Sequence, residues 1–271
     1  MAEFLYQGRR IYYEEHGTGE PVLVLNGIFM SCASWTKFVP AFANKCRLIL
    51  LDLHDQGRTE KMAGEYTQTL QVELVEALRI HLGLDTFHIT GISYGGEVAM
   101  QYAIAYPERV EKLVLSNTAP NTSHWLKDIG HAWEYACNSH DGHQFFKTCI
   151  PTVYSPQFYE TNYAWASARE QLFVDSFGPE VYDAFARLIR SAETHDVRAQ
   201  LRQITAKTLV ISSEHDYVTP FYQQKELVAG IKNAAHALIP EAGHAVMYEK
   251  PAEFIALIAG FLLTDTDVAI V

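Results

Sequence analysis

Short apolar runs recur along the chain, separated by stretches with helical spacing. Val22-Leu23-Val24-Leu25, bounded by Pro21 and Gly27, is continuous rather than alternating, the pattern of a strand covered on both faces. Leu48–Leu51, Thr86–Ile89, Leu113–Leu115, Thr208–Ile211 and His236–Ile239 repeat it. Ahead of them, Phe4-Leu5-Tyr6 and Arg10-Ile11-Tyr12-Tyr13 lie either side of Gly8 and predict a hairpin. Leu70, Leu74, Val75, Leu78 and Leu82 share one helix face, and that helix ends near Gly83. Val98, Tyr102 and Ala105 mark a second helix, stopped before Pro107, and Phe254, Ile255, Ile258 and Phe261 mark the last. Strands alternating with helices predict an α/β fold, a mostly parallel central sheet flanked by helices on both faces.

The alternation stops between about Pro120 and Gln200. No comparable apolar run occurs there, and the spacing predicts helices, for example over Phe158–Phe177 and Glu180–Ser191. Residues 1–119 and 201–271 are therefore expected to form the core, and 120–200 a helical cap. The cap segment holds 14 aromatic residues, a density well above the rest of the chain. Bulky rings give a small helical unit its own core. Some are also expected to line an apolar pocket beneath it, with Phe29, Trp125 and Trp165 as the candidate substrate-binding residues.

Composition narrows the function classes. With 271 residues, 48% hydrophobic and 20% charged, the chain is that of an ordinary globular protein and not of a disordered one. A formal net charge of -11 works against binding polyanions, so nucleic acid is excluded as the expected partner and a small-molecule substrate is favoured. The longest apolar run, Ile255–Leu263, is far short of the roughly 20 residues of a membrane helix, so no membrane association is expected. The opening residues have neither a basic nor an apolar segment, so no signal peptide is expected. Cys32, Cys46, Cys137 and Cys149 lie far apart without a CxxC pair, which reads as reduced core thiols in a cytoplasmic protein. A homodimer stays open.

The chemistry concentrates at Gly91-Ile92-Ser93-Tyr94-Gly95-Gly96, which contains GxSxG between a strand-like and a helix-like stretch. A nucleophile elbow needs that setting: the turn is tight, so the serine's neighbours must be small, and its oxygen stands at the C-terminal edge of the sheet. A serine hydroxyl needs a base. Among 12 histidines, His244 follows the last strand and reaches the same edge. The base needs an acid to hold its tautomer, and Asp216, in the loop after Thr208–Ile211, is favoured over its rival Glu214. The oxyanion requires backbone N–H donors, expected from Tyr94 and from Ile28 in Asn26-Gly27-Ile28-Phe29, with Phe29 as the fallback.

His140-Asp141-Gly142-His143, with His124 and His131, invites a metal, but no pair has i, i+4 helical spacing with a partnering glutamate, so no metal is expected. No GxGxxG or P-loop is present, and no cofactor is expected. Asp52–Arg58 either shapes the pocket or stabilises its own loop through local hydrogen bonds. The last residues, Thr264–Val271, are expected to fray.

Together these pieces resemble the cofactor-independent α/β hydrolases of the haloperoxidase, enol-lactonase and carboxylesterase type. The resemblance rests on Asn26-Gly27-Ile28 with Trp35, Asp52 to Arg58, the Ser93 motif, Tyr106-Pro107-Glu108-Arg109-Val110, Leu113 to Ala119, Asp216 and Gly243-His244. It implies the α/β-hydrolase fold with a helical cap and a serine, aspartate, histidine triad in that chain order. It also implies hydrolysis of a carboxylic ester, lactone or thioester through an acyl-enzyme. Asn26 stands where many members carry histidine, and could order the oxyanion loop or merely cap a strand end. Acyl transfer to an alcohol and a slow-turnover ligand receptor are the alternatives that the same residues would serve.

Overall fold

A computed structural model of the chain describes residues 2–264. The strands β1 (Ala2–Tyr6), β2 (Arg9–His16), β3 (Pro21–Leu25), β4 (Arg47–Leu51), β5 (Phe87–Ile92), β6 (Val110–Ser116), β7 (Lys207–Ser213) and β8 (Ala234–Ile239) form one sheet. Its order is β1-β2-β4-β3-β5-β6-β7-β8. β1 and β2 make the predicted hairpin, β2 pairs antiparallel with β4, and the remaining pairs are parallel. Each continuous apolar run is a strand; the inner parallel strands lie between two layers and have no wet face, whereas β8, at the sheet edge, is partly exposed.

The helices are α1 (Val39–Phe42), α2 (Gln68–His81), α3 (Tyr94–Ala105), α4 (His124–Asn138), α5 (Gly142–Val153), α6 (Pro156–Thr161), α7 (Tyr163–Ser176), α8 (Pro179–Ser191), α9 (Phe221–Gly230), α10 (Val246–Glu249) and α11 (Pro251–Leu263). The pleat sorts the strands into two cores. Leu23, Leu25, Ile49, Leu51, Ile89 and Leu115 pack with Leu74, Leu78, Val98 and Tyr102 on one side. Val22, Val24, Leu48, Leu50 and Val114 pack with Trp35, Phe42, Phe254 and Ile258 on the other. Each fully buried leucine or isoleucine here stabilises the fold by about 2 kcal/mol. No helix among the described residues is long and apolar enough to cross a membrane. All four cysteines are buried and free. Beyond Thr264 the tail lies outside the described residues.

Between β6 and β7 the chain runs through α4 to α8, a helical insert whose two ends meet. Asn121 and Asp196 form an isolated antiparallel bridge, and the Val197 N–H donates to the Pro120 carbonyl at 2.9 Å. The stretch expected as one helix over Phe158–Phe177 is two. It breaks at Asn162 (φ -111, ψ 28), whose side-chain amide donates to the Phe158 carbonyl at 2.9 Å and competes with helix continuation. Phe145, Phe173 and Phe185 form the insert's interior, with Phe29 of the core set against Phe145 and Phe185 at 5.0 Å. Arg187 on α8 grips the buried Asp55 through two hydrogen bonds of 2.8 and 3.0 Å, fastening the insert to the loop after β4.

Candidate active site

Ser93 joins β5 to α3 with φ 52 and ψ -120. A non-glycine residue there carries about 1–3 kcal/mol of strain and persists only where the surroundings force it. They do. A Cβ on Gly91 would lie 2.5 Å from the Gly95 carbonyl oxygen, and one on Gly95 would collide with the Leu25 carbonyl. The Ser93 N–H donates to Ser116 at 2.9 Å, and the Thr118 hydroxyl donates to the Ser93 carbonyl at 2.8 Å. That carbonyl also accepts from the Gly96 and Glu97 N–H groups, so α3 starts at Tyr94, ahead of the first marked apolar position, Val98.

The fold brings His244 and Asp216 to this serine. His244 Nε2 is 2.9 Å from Ser93 Oγ, and His244 Nδ1 is 2.8 Å from Asp216 Oδ2. Oδ2 also accepts from Asn117 Nδ2 and the Thr219 hydroxyl at 2.8 Å, while Oδ1 accepts from the Val218 and Thr219 N–H groups at 2.9 Å. Burial by itself raises the Asp216 pKa. The adjacent His244 and the Thr219 and Asn117 donors outweigh it and hold the carboxyl below its usual range. An ionised Asp216 accepts a hydrogen bond from the Nδ1–H and so holds the proton on that nitrogen, which leaves Nε2 as the acceptor facing Ser93. Glu214 is exposed and instead accepts the Glu241 N–H at 3.0 Å.

The sequence assigns no role to two positioning groups. Asn117 sits at φ 46 and links Ser213 to Asp216 through its amide nitrogen. Glu249 on α10 accepts from the Gly243 and Ser155 N–H groups at 3.0 Å, and the Ala245 N–H donates to Val153 at 2.7 Å. The His244 loop is thereby docked on the α5–α6 junction of the insert. An acid five residues after a histidine is too common in sequences to single out.

Asn26 is fully buried and ties three segments together. Its amide donates to the Leu51 carbonyl at 3.0 Å, its oxygen accepts from the Trp35 indole at 2.9 Å, and Gln56 donates to the Gly27 carbonyl at 2.9 Å. It orders the loop after β3. A Cβ on Gly27 would lie 3.5 Å from Ser93 Cβ, so that loop runs directly past the serine. Ile28 follows in the same loop, and the Tyr94 N–H begins α3, where a helix has no intrahelical acceptor. Both residues line a cavity with Ser93. The Tyr94 hydroxyl reaches the Ser191 hydroxyl of α8 at 2.8 Å.

Two cavities open on Ser93. The larger has about 880 Å³ of empty space and is walled by Phe29, Met30, Trp133, Phe146, Tyr154 and Phe173, with His244 and Arg169. The smaller, about 620 Å³, shares Ile28, Ser93 and Trp133 with it and runs out past Lys127, Glu134 and Arg190. Of the residues expected to line a pocket, Phe29 does, while Trp125 and Trp165 do not. Trp125 is half exposed and donates its indole N–H to the Tyr217 carbonyl at 2.6 Å. Trp165 stands one layer back, edge-on to Tyr154 at 5.5 Å. Sequence does not separate them from Trp133, because all three are tryptophans on helices of the insert and only packing decides which meets the cavity.

Glu97 lines the smaller cavity one turn after Ser93, is fully buried, and accepts from Gln68 at 2.6 Å. Burial pushes its pKa up to about 8. A raised carboxyl stabilises the fold fully below its unfolded value and loses that stabilisation as pH climbs through the folded value. Stability measured by thermal melting is therefore expected to fall between about pH 5 and 9. Glu97→Gln, which keeps an acceptor for Gln68, should flatten that fall; an unchanged slope would show that another group sets it.

The remaining candidates are structural or dispersed. Asp52 accepts from the Cys32 and Arg58 N–H groups at 2.7 and 2.8 Å, so it stabilises its own loop. His54 is buried between Tyr6 and Tyr66, and burial lowers its pKa to about 4. Three of the insert's histidines face separate acids: His140 meets Asp183 at 2.7 Å, His143 meets Glu170 at 3.1 Å and His131 meets Glu193 at 3.9 Å. Among the described residues, Glu20, His88 and Glu111 do have ligand atoms within 4.8 Å of one another. They stand at the starts of parallel strands, the sheet edge opposite Ser93.

Known proteins match the whole of this architecture. A family model described as the alpha/beta hydrolase fold covers residues 20–251. The crystal structure of MGS-M2, an alpha/beta hydrolase enzyme from a Medee basin deep-sea metagenome library, superposes with a TM-score of 0.96 at 42% identity, over 100% of both chains. The enol-lactonase from Burkholderia xenovorans LB400 superposes with a TM-score of 0.85 at 21% identity, covering 97% of this chain and 100% of that one. The 2-hydroxy-6-oxo-6-phenylhexa-2,4-dienoate hydrolase of Comamonas testosteroni is 27% identical, over 93% of this chain and 91% of its own. With the family model spanning residues 20–251, most of its length, the chain belongs to the α/β hydrolase fold family.

Proposed function

We propose that the chain is a serine hydrolase that cleaves a carboxylic ester, lactone or thioester of a small, mainly apolar substrate through an acyl-enzyme on Ser93. The observation that carries this reading is the unbroken relay from Ser93 Oγ through His244 to Asp216, at 2.9 and 2.8 Å. His244 Nε2 takes the hydroxyl proton as Ser93 attacks the carbonyl. The Ile28 and Tyr94 N–H groups hold the oxyanion, and the imidazolium formed is stabilised by Asp216. His244 then protonates the leaving oxygen or sulfur, activates a water, and deacylation restores the serine. The larger cavity, with its wall of aromatic and aliphatic side chains, suits the acyl half, and the smaller, which runs out past Lys127, Glu134 and Arg190, the leaving group. The insert, which adds Trp133, Phe146, Tyr154 and Phe173 to the apolar wall, acts as the cap.

Trapping the intermediate tests the reading. Quenching the protein in acid during turnover of a 4-nitrophenyl ester should add one acyl mass to the peptide bearing Ser93 and to no other. Absence of that adduct, with ester hydrolysis continuing, would remove the acyl-enzyme. One equivalent of product followed by almost no turnover would favour the receptor alternative. A competing alcohol that diverts the acyl group from water would favour transfer, since the second cavity beside Ser93 offers an acceptor the same access as a leaving group.

A further inference from the structure

The larger cavity contains one permanent charge. Arg169 on α7 is part of its wall, and no aspartate or glutamate is. The chain has 32 acidic residues, enough to neutralise such a group, and neighbouring cations of the insert are neutralised. Lys147 pairs with Glu170 at 2.6 Å, Arg187 with Asp55 at 2.8 Å, and Arg190 with Glu134 at 2.7 Å. Among the described residues, no carboxylate pairs with Arg169. The nearby Glu249 is committed to the Ser155 and Gly243 N–H groups. Arg169 lies instead over the Trp165 ring at 4.7 Å and the Tyr248 ring at 5.6 Å. Cation–π attraction holds a guanidinium without using its N–H donors.

Arg169 is half-buried, fixed by rings and without a carboxylate partner among the described residues, so its N–H donors remain available to an anion in the cavity it lines. The cavity that contains it is the one assigned to the acyl half of the substrate. We propose that Arg169 binds a carboxylate carried by that acyl half, so that the preferred substrates are esters or lactones of acids bearing a second, free carboxyl group. The planar guanidinium fork matches such a group with two parallel hydrogen bonds. The inference rests on the ester-hydrolase reading above, and it adds that an anion enters the otherwise apolar arm.

The test compares two 4-nitrophenyl esters of equal acyl length, the valerate and the monoglutarate, on the wild-type chain, Arg169→Met and Arg169→Lys. The readout is the ratio of kcat/KM for the anionic ester to that for the neutral one. Arg169→Met is expected to lower this ratio about 30-fold, mainly through KM of the anionic ester, with partial recovery in Arg169→Lys. If both esters lose activity together and the ratio holds, Arg169 only packs Trp165 and Tyr248, and the inference is overturned. Calorimetric titration with glutarate reads the same contact without turnover. Wild-type protein should bind glutarate, and Arg169→Met should bind it at least tenfold more weakly. No binding to the wild type would overturn the inference, even if the valerate ester is hydrolysed. Failure of both esters to turn over, with glutarate binding intact and dependent on Arg169, would instead overturn the ester-hydrolase reading and leave the anion site standing.

Discussion

Replacing Ser93 with alanine is expected to lower turnover of an activated short ester by about 10⁶-fold, the scale of losing a nucleophile whose base then has nothing to deprotonate. The loss should fall on kcat. The oxyanion donors and both cavities remain, so KM should change far less, and a residue of catalysis over water of roughly 10³-fold should survive from them. The substitution removes one oxygen and leaves the Cβ that the elbow already accommodates at φ 52. A thermal melt close to that of the parent is therefore expected, which separates lost chemistry from lost folding. Near-full hydrolysis by a well-folded Ser93→Ala would end the proposed mechanism.

The second large effect is at Asp216. Asp216→Asn should lower kcat by about 10⁴-fold, because an amide can present an N–H to His244 Nδ1 and force the tautomer whose proton points at Ser93. It should also destabilise the protein. Oδ2 accepts from His244, Asn117 and Thr219, and Oδ1 from two backbone N–H groups, so an amide nitrogen in either place faces donors it cannot satisfy. A cost of about 1–3 kcal/mol follows, read as a lower melting temperature. Glu214→Gln is the control: that side chain is exposed and caps only the Glu241 N–H, so activity should stay near the parent's. If Glu214→Gln lost the activity and Asp216→Asn kept it, the acid would have been assigned to the wrong residue.

The strands were legible because burial on both faces leaves an unbroken apolar run, as at Val22–Leu25. The elbow was legible because its geometry excludes side chains at particular positions, and the glycines at 91 and 95 record that exclusion. The helix break at Asn162 was not legible, since one asparagine inside an amphipathic stretch costs little until a specific carbonyl is within its reach. Nor were the pocket's rings. Trp125, Trp133 and Trp165 are chemically equivalent, and only the packing of α4, α5 and α7 decides that Trp133 meets the cavity while the other two face away from it.

By itself, then, the sequence determined the sheet, its layers and the three residues able to carry the chemistry, because each depends on spacing along the chain or on a local steric demand. Tertiary structure alone decided how Asn117 and Glu249 hold the histidine and its acid in place, and that among the described residues no carboxylate pairs with Arg169 in the larger cavity. Those outcomes depend on distances between segments far apart in the chain, and a carboxylate or guanidinium has no sequence signature for the partner it finds or lacks in space.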